Sequence, residues 1–164
     1  MSYFIIIRGP LGVGKSTISE RLAKLLGAKH ICIDRVLDEH NLTHDKECGY
    51  ISQRSFKKAN ELVAPRVKKL LEKGMIVVID GNFYWKSAIE HLISRLNYPH
   101  HVFTLQAPVE LCIERDSKRQ KKHGRNAALV VHKKAMEFEY GTPLDARLSV
   151  DELLHAILAY LSKM

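Results

Sequence analysis

An uninterrupted apolar and aromatic run, Tyr3-Phe4-Ile5-Ile6-Ile7, leads almost directly into Gly9-Pro10-Leu11-Gly12-Val13-Gly14-Lys15-Ser16. The run reads as a buried strand, and the residues after it keep the spacing G-x-x-x-x-G-K-S of a loop that wraps phosphate groups and opens a helix. The glycines let backbone N–H groups turn inward around anionic oxygens. The helix beginning near Lys15 directs its unsatisfied N–H groups and positive dipole end at the same place. A glycine-rich turn between any strand and any helix would share the glycines, but here the motif sits in the strand-loop-helix context it requires. Gly9, Gly12, Val13, Gly14, Lys15, Ser16 and Thr17 are therefore expected to hold ATP. In this reading Lys15 reaches the β- and γ-phosphates and Ser16 ligates Mg²⁺.

The remaining composition narrows the class. At 164 residues, 46% hydrophobic and 27% charged, the chain fits a single globular domain with a sizeable core. No apolar run nears the roughly 18 residues of a membrane span, and the N-terminus lacks a leader pattern, so a cytoplasmic protein without a membrane partner is expected. Cys32, Cys48 and Cys112 are odd in number and widely spaced, which indicates neither a disulfide framework nor a zinc site. The net charge is +8, and between Asp116 and Arg125 five basic residues face one acid. A basic protein attracts polyanions, but a nucleotide site has its own reason to gather cations. Charge alone selects neither nucleic acid nor a small phosphorylated ligand.

Strand and helix signals alternate along the chain. Ile18, Leu22, Leu25 and Leu26 predict a helix over 15–26, stopped by Gly27. His30–Ile33 reads as a short strand ending on Asp34, and 35–58 as an irregular insertion with short helices outside the core. Helix formers dominate from Ser55 to Lys73, with a kink expected at Pro65, and Gly74 breaks the run. Met75–Ile79 is β-branched and continuous, the pattern of a strand buried on both faces. Val102–Leu105 is a further strand, Pro108 opens a helix carrying Leu111 and Cys112, and Pro143–Ala146 is a short fifth strand. Ser149-Val150-Asp151-Glu152 spells a capping box before Leu153, Leu154, Ile157, Leu158 and Leu161. This alternation implies an α/β fold in three layers, a parallel sheet with helices on both faces and right-handed crossovers.

Which chemistry accompanies the loop is read from three places. Neither an N-K-x-D nor a D-x-x-G motif stands in a plausible position, which disfavours a regulatory GTPase. Asp34, at a strand end beside the loop, suits the acceptance of a proton from an attacking hydroxyl; a helix cap or a water ligand on the Mg²⁺ side is the plainer role. Asp80 ends the buried strand and precedes Gly81-Asn82-Phe83-Tyr84. It suits the metal or the acceptor, and it could equally cap the next helix; Asn82 and Tyr84 are candidate acceptor contacts. Glu114 to Arg125 is strongly basic. A solvated helix end explains that, as does a flap whose arginines neutralise the transferring phosphoryl group, with Arg119 and Arg125 in that role and Arg115 against the adenine.

Taken together, GPLGVGKS, Asp34, IVVIDGNFY and LQAPVELCIERDSKR with its basic continuation resemble the small P-loop kinases with their AAA-type ATP-binding domain. That group includes nucleoside and nucleotide kinases, shikimate and gluconate kinases, chloramphenicol phosphotransferase and the kinase domain of polynucleotide kinases. The resemblance implies a P-loop NTPase fold with a five-stranded parallel sheet, ATP with Mg²⁺, an acceptor region at about 35–60 and a lid at about 115–127. By position it puts Asp34 on the acceptor or base carboxylate, Lys15 and Ser16 on phosphate and metal, and Arg115, Arg119 and Arg125 on lid arginines. Arg54 would hold an acceptor phosphate or carboxylate, or simply lie exposed. No glycine triplet of the shikimate type follows Asp80, and Cys32 stands two residues before Asp34 where a second Asp would be. The Asp80–Tyr84 stretch looks more like the antibiotic phosphotransferases and polynucleotide kinases.

The leading expectation is therefore an ATP-dependent kinase that moves the γ-phosphate to a hydroxyl of a small metabolite, nucleoside or nucleotide. Phosphorylation of a polynucleotide 5′-hydroxyl is the alternative within enzymes. Nucleic acid is not the favoured partner, because Arg115–Arg125 lacks interleaved aromatics; Tyr50, Phe56, Phe83, Tyr84 and Trp85 would have to supply them. A non-catalytic ATP-binding switch is the alternative from another class. No residue pattern speaks to oligomeric state.

Overall fold

The computed structural model describes residues 1–119 and 123–163. The first apolar run forms β1 (Phe4–Arg8), followed by α1 (Lys15–Leu26), β2 (Lys29–Cys32), α2 (Ile33–Glu39), the short strands β3 (Lys46–Glu47) and β4 (Tyr50–Ile51), and α3 (Gln53–Glu72). Then come β5 (Val77–Gly81), α4 (Lys86–Leu96), β6 (His100–Gln106), α5 (Val109–Ser117), α6 (Arg125–Ala135), β7 (Thr142–Asp145) and α7 (Val150–Leu161). Five strands make one parallel sheet in the order β2-β5-β1-β6-β7, while β3 and β4 pair as an antiparallel hairpin. The α/β sandwich with a five-stranded parallel sheet expected from the alternation is thus present.

The period of two along β1 builds both cores at once. Phe4 and Ile6 face a layer shared with Phe56, Val67, Ile89 and Leu92 of α3 and α4. Ile5 and Ile7 face the opposite layer, with Ile18 and Leu22 of α1 and Leu154 and Ile157 of α7. All four β1 side chains are fully buried, each worth about 1.5–3 kcal/mol against exposure. The capping box of α7 is formed as read, with Ser149 Oγ accepting from Glu152 N at 3.1 Å.

Several boundaries differ from the sequence reading, for local reasons. The 35–58 stretch is not an irregular insertion: it holds α2, the hairpin and the start of α3, and Leu37 and Phe56 are core residues at 1% exposure each. Asp34 accordingly stands in the first turn of α2 rather than on a strand. Ser52 starts α3 by accepting from Ser55 N, and the helix runs on through Pro65. The strand predicted from Met75 begins at Val77, because Gly74 N and Met75 N still bond back to Leu71 O and Leu70 O at the end of α3. Among the described residues, no helix is long and apolar enough to cross a membrane.

Candidate active site

The carboxyl ends of the parallel strands open onto a cleft of about 1150 Å³. Its lining includes Leu11–Ile18, Cys32, Asp34, the β3–β4 hairpin, Asn82, Tyr84 and one side of α5 and α6. Ligands of open parallel sheets bind at this end.

The loop between β1 and α1 curls around the start of the helix. Lys15 Nζ donates to Pro10 O at 2.9 Å. Burial pushes the Lys15 ammonium below its ordinary value, and the charges of Asp34 and Asp80 act against that shift. Gly12 has φ +77°, and a Cβ on it would lie 2.2 Å from Cys112 O of α5. No side chain fits there, so the loop and α5 are packed backbone to backbone. Ser16 and Thr17 are exposed on the cleft wall.

Behind the loop, Asp80 is 1% exposed, with Ile7 and Cys32 as its cross-strand neighbours. His30 Nε2 holds Asp80 Oδ2, while Asp80 Oδ1 is buried without a hydrogen-bond partner. Asp80 does not cap α4, whose cap position is Trp85 with no side-chain hydrogen bond. The Cys32 thiol is pushed up to about 12 by burial and by the charges of Asp80 and Asp34, so it stays protonated. Nor is Asp34 a helix cap: its Oδ1 accepts from Asn82 N at 3.2 Å. Burial raises the Asp34 carboxyl above the ordinary aspartate range, against the pull of Lys15 and the Asn82 N–H.

The wall beyond Asp34 is sewn together by backbone and aromatic contacts. Tyr84 Oη accepts from Ile51 N at 2.9 Å, and Trp85 Nε1 donates to Ile51 O at 2.7 Å. Lys134 Nζ of α6 sits 3.9 Å from the Trp85 ring centre, a cation–π contact that docks α6 on this wall. Asn82 lines the cleft, but its Oδ1 is buried without a partner. Phe83, fully buried, has φ +39°.

On the opposite side, Arg115 braces the loop. Its guanidinium donates to Val13 O at 3.0 Å and to Ala146 O at 2.9 Å. Arg119 lines the same cleft, and its charge acts on Lys15. Asp116, at the end of α5, accepts from His123 N, His123 Nδ1 and Gly124 N.

A family profile described as an AAA domain matches residues 4–139. The chain belongs to the AAA domain family. A sugar kinase from Janibacter sp. HTCC2649 is similar in fold, with TM-score 0.82 at 18% identity, covering 99% of this chain and 95% of that one. A gluconokinase from Sinorhizobium meliloti 1021 gives TM-score 0.77 at 16% identity over 97% and 91% of the two chains. A shikimate kinase from Aquifex aeolicus vf5 gives 0.66 at 17% identity over 97% and 96%. The fold of this AAA domain is that of the small P-loop kinases.

Against the residues singled out from the sequence, the cleft of the AAA domain gathers Gly12, Val13, Gly14, Lys15, Ser16, Thr17, Asp34, Asn82, Tyr84, Arg115 and Arg119. It does not gather Arg54, which is exposed and paired with Asp45 at 2.9 Å. Nor does it gather Arg125, exposed at the start of α6, although Asn126 and Ala127 beside it are lining residues. Gln120, Lys121 and Lys122 of the basic segment lie outside the described residues. The sequence reading named Tyr50 only as a stacking aromatic for a polynucleotide and missed His123, Val130 and Leu148; all four line the cleft. The spacing of Asn126, Ala127, Val130 and Val131 along one helix face was the available signal for α6. For Leu148 there was none, since its place depends on where β7 ends.

Proposed function

We propose that this AAA domain is an ATP-dependent phosphotransferase that moves the γ-phosphate of Mg²⁺·ATP to a hydroxyl of a small metabolite, nucleoside or nucleotide. The observation that carries this reading is the Asp34 carboxylate: it lines the same cleft as the phosphate loop and acts electrostatically on Lys15. One Asp34 oxygen is held by Asn82 N, which leaves the other to take the proton of an attacking hydroxyl. A carboxyl raised above its ordinary range is a stronger base once ionised than an exposed aspartate. Lys15 neutralises the phosphates, and Arg119, the basic-segment arginine on the cleft wall, neutralises charge that develops on the transferring group. Arg115 steadies the loop through Val13 O and offers the adenine its guanidinium face. Arg54 and Arg125 have no part in this account.

Mg²⁺ fits the residues present. The described residues hold no cluster of three or more His, Cys, Asp or Glu that would cage a metal. Mg²⁺ is instead bound through one or two protein oxygens, water and substrate phosphates. Ser16 Oγ on the cleft wall is such an oxygen; the unpartnered Asp80 Oδ1, buried outside the cleft lining but near enough for the Asp80 charge to act on Lys15, would be the second candidate. When bound, the ion would offset phosphate charge.

A polynucleotide acceptor finds less support. Phe56 and Phe83 are buried in the core, Tyr84 is 4% exposed and Lys134 lies over the Trp85 ring, which leaves the half-buried Tyr50, itself packed against Tyr84 and Trp85; stacking of successive bases needs several free ring faces. The deciding assay supplies γ-labelled ATP with a mixture of 5′-hydroxyl oligonucleotides and a small-molecule cell extract, and separates labelled products by size. Label on a small organic product supports the proposal. Label on oligonucleotides moves the assignment to the polynucleotide reading, and tight ATP binding with no labelled acceptor moves it to a switch module.

A further inference from the structure

Arg8 ends β1, one residue before Gly9 of the phosphate loop, and its side chain is fully buried. A cation taken out of water needs partners, and the usual one is a carboxylate. Among the described residues no carboxylate pairs with it. Its guanidinium donates to Thr104 Oγ1 at 3.2 Å and to Ala135 O at 2.7 Å, lies 4.5 Å from the centre of the Phe138 ring, and keeps Nε without a partner. Burial pushes the group down only to about 10, so it is charged at neutral pH.

Two of the three partners belong to α6 and the turn that follows it. Ala135 is the last residue of α6, and the final carbonyls of a helix lack an intrahelical donor and carry the negative end of its dipole. The shorter of the two hydrogen bonds goes there. Phe138, three residues on, offers the ring face that a desolvated guanidinium favours. The Thr104 contact leads to the same turn, since Thr104 Oγ1 in its turn donates to Tyr140 O at 2.6 Å. The buried cation is therefore compensated chiefly by the C-terminal end of α6. Were that end to leave the sheet, Arg8 would stay behind buried and unpaired, so the docking of α6 and the burial of Arg8 are energetically one event.

The rest of the same helix faces the cleft, where Asn126, Ala127, Val130 and Val131 are lining residues. His132 Nε2 on Ala107 O at 2.8 Å and Lys134 Nζ over the Trp85 ring tie its C-terminal half to neighbouring elements. Among the hydrogen bonds of the described residues, the one from Arg8 alone ties α6 to β1. We propose that Arg8 is a positioning residue of the cleft: by holding the last carbonyl of α6 and the Phe138 ring, it sets where α6 stands relative to the strand that carries the phosphate loop, and with it the cleft wall from Asn126 to Val131. The consequence for ATP rests on the reading of the cleft as an ATP site; the anchoring of α6 does not.

Hydrogen exchange read by mass spectrometry on the full chain, with calorimetric titration of Mg²⁺·ATP, compares the wild type with Arg8→Met and Arg8→Lys. Methionine keeps a long side chain without the charge, and lysine keeps the charge. In Arg8→Met the amides of 125–135 are expected to exchange about tenfold faster, the loss of one charge-assisted bond, while those of β5 keep their wild-type rates. Affinity for Mg²⁺·ATP is expected to fall about fivefold, and Arg8→Lys to recover part of both effects. Unchanged exchange in α6 overturns the inference. Equal acceleration in β5 also overturns it, because Arg8 would then support the whole sheet rather than place one helix. A loosened α6 with unchanged ATP affinity overturns it as well, since the position of the helix would not matter to the cleft. A wild-type chain that binds no ATP removes the kinase reading, and exchange in α6 then decides the anchoring by itself. If Arg8→Met does not fold, Phe138→Leu removes the ring face and leaves the guanidinium; it carries the same expectations at smaller size, and unchanged α6 exchange in both Phe138→Leu and Arg8→Lys overturns the inference.

Discussion

Replacing Gly12 by alanine should disrupt the phosphate loop far more than a glycine substitution ordinarily disrupts a turn. The new Cβ would lie 2.2 Å from Cys112 O and 3.0 Å from Cys112 C. Both atoms are backbone of α5, so no side chain can rotate away, and either the loop or the helix must move. The backbone also has φ +77°, and a left-handed conformation costs a non-glycine residue about 1–2 kcal/mol. Overpacking adds about 1–3 kcal/mol, giving about 2–5 kcal/mol in all. For a chain of this size each kcal/mol lowers Tm by about 2–4 °C, so a fall on the order of 5–15 °C follows. Gly27→Ala is the matched control, since Gly27 has φ +62° and a Cβ added there would meet nothing within 4 Å. It should bear the conformational cost alone, about 1–2 kcal/mol. Thermal unfolding of both variants is the assay, and an ATP titration on the surviving fold should show weakened binding for Gly12→Ala only. Equal Tm values for the two variants would refute the packing argument.

Asp34→Asn should be more stable than the wild type at neutral pH. Burial raises the Asp34 carboxyl, so its ionised form opposes folding once the pH passes the ordinary aspartate value; the stability gap should close as pH falls below that value, which chemical denaturation across pH measures. Alkylation followed by mass spectrometry should label the exposed Cys48 at mildly alkaline pH and spare Cys32, whose thiol is pushed up to about 12, and the buried Cys112. Ser149→Ala should lower stability by about 1 kcal/mol through loss of the α7 cap, read as a shift in denaturant midpoint with an unchanged m-value.

What could be read in advance tracks how local the determining physics is. The loop and α1 follow from neighbouring residues: the glycine spacing, the apolar positions Ile18 and Leu22, and Gly27 as the stop. β1 and β5 were legible for the same reason, since continuous apolar, β-branched runs bounded by glycine or an acid leave few alternatives; β2 (Lys-His-Ile-Cys) and β7 (Thr-Pro-Leu-Asp) carry no such run and were read from the alternation around them. The stretch 35–58 was not, because α2 is only two turns long and its burial depends on Leu37 and Phe56 meeting the layer beneath β1 and β5. Within the site, Asp34 and Asp80 stood out as acids beside apolar runs. Their surroundings did not: His30 reaches Asp80 across 50 residues of sequence, and Asn82 N reaches Asp34 across 48. Arg54 and Arg119 look alike in sequence, but the fold puts Arg119 on the cleft wall and leaves Arg54 outside it, paired with Asp45.

The central claim is that Asp34 accepts the proton of an attacking hydroxyl in a transfer that Lys15 and the phosphate loop make feasible. Its most direct test is the rate of γ-phosphate transfer to the small-molecule acceptor for the wild type, Asp34→Asn and Lys15→Ala, alongside ATP affinity. The account predicts that Asp34→Asn retains ATP binding while its transfer rate falls by about 10²–10⁴, and that Lys15→Ala loses both. Transfer by Asp34→Asn at the wild-type rate, with Lys15→Ala inactive, would contradict it.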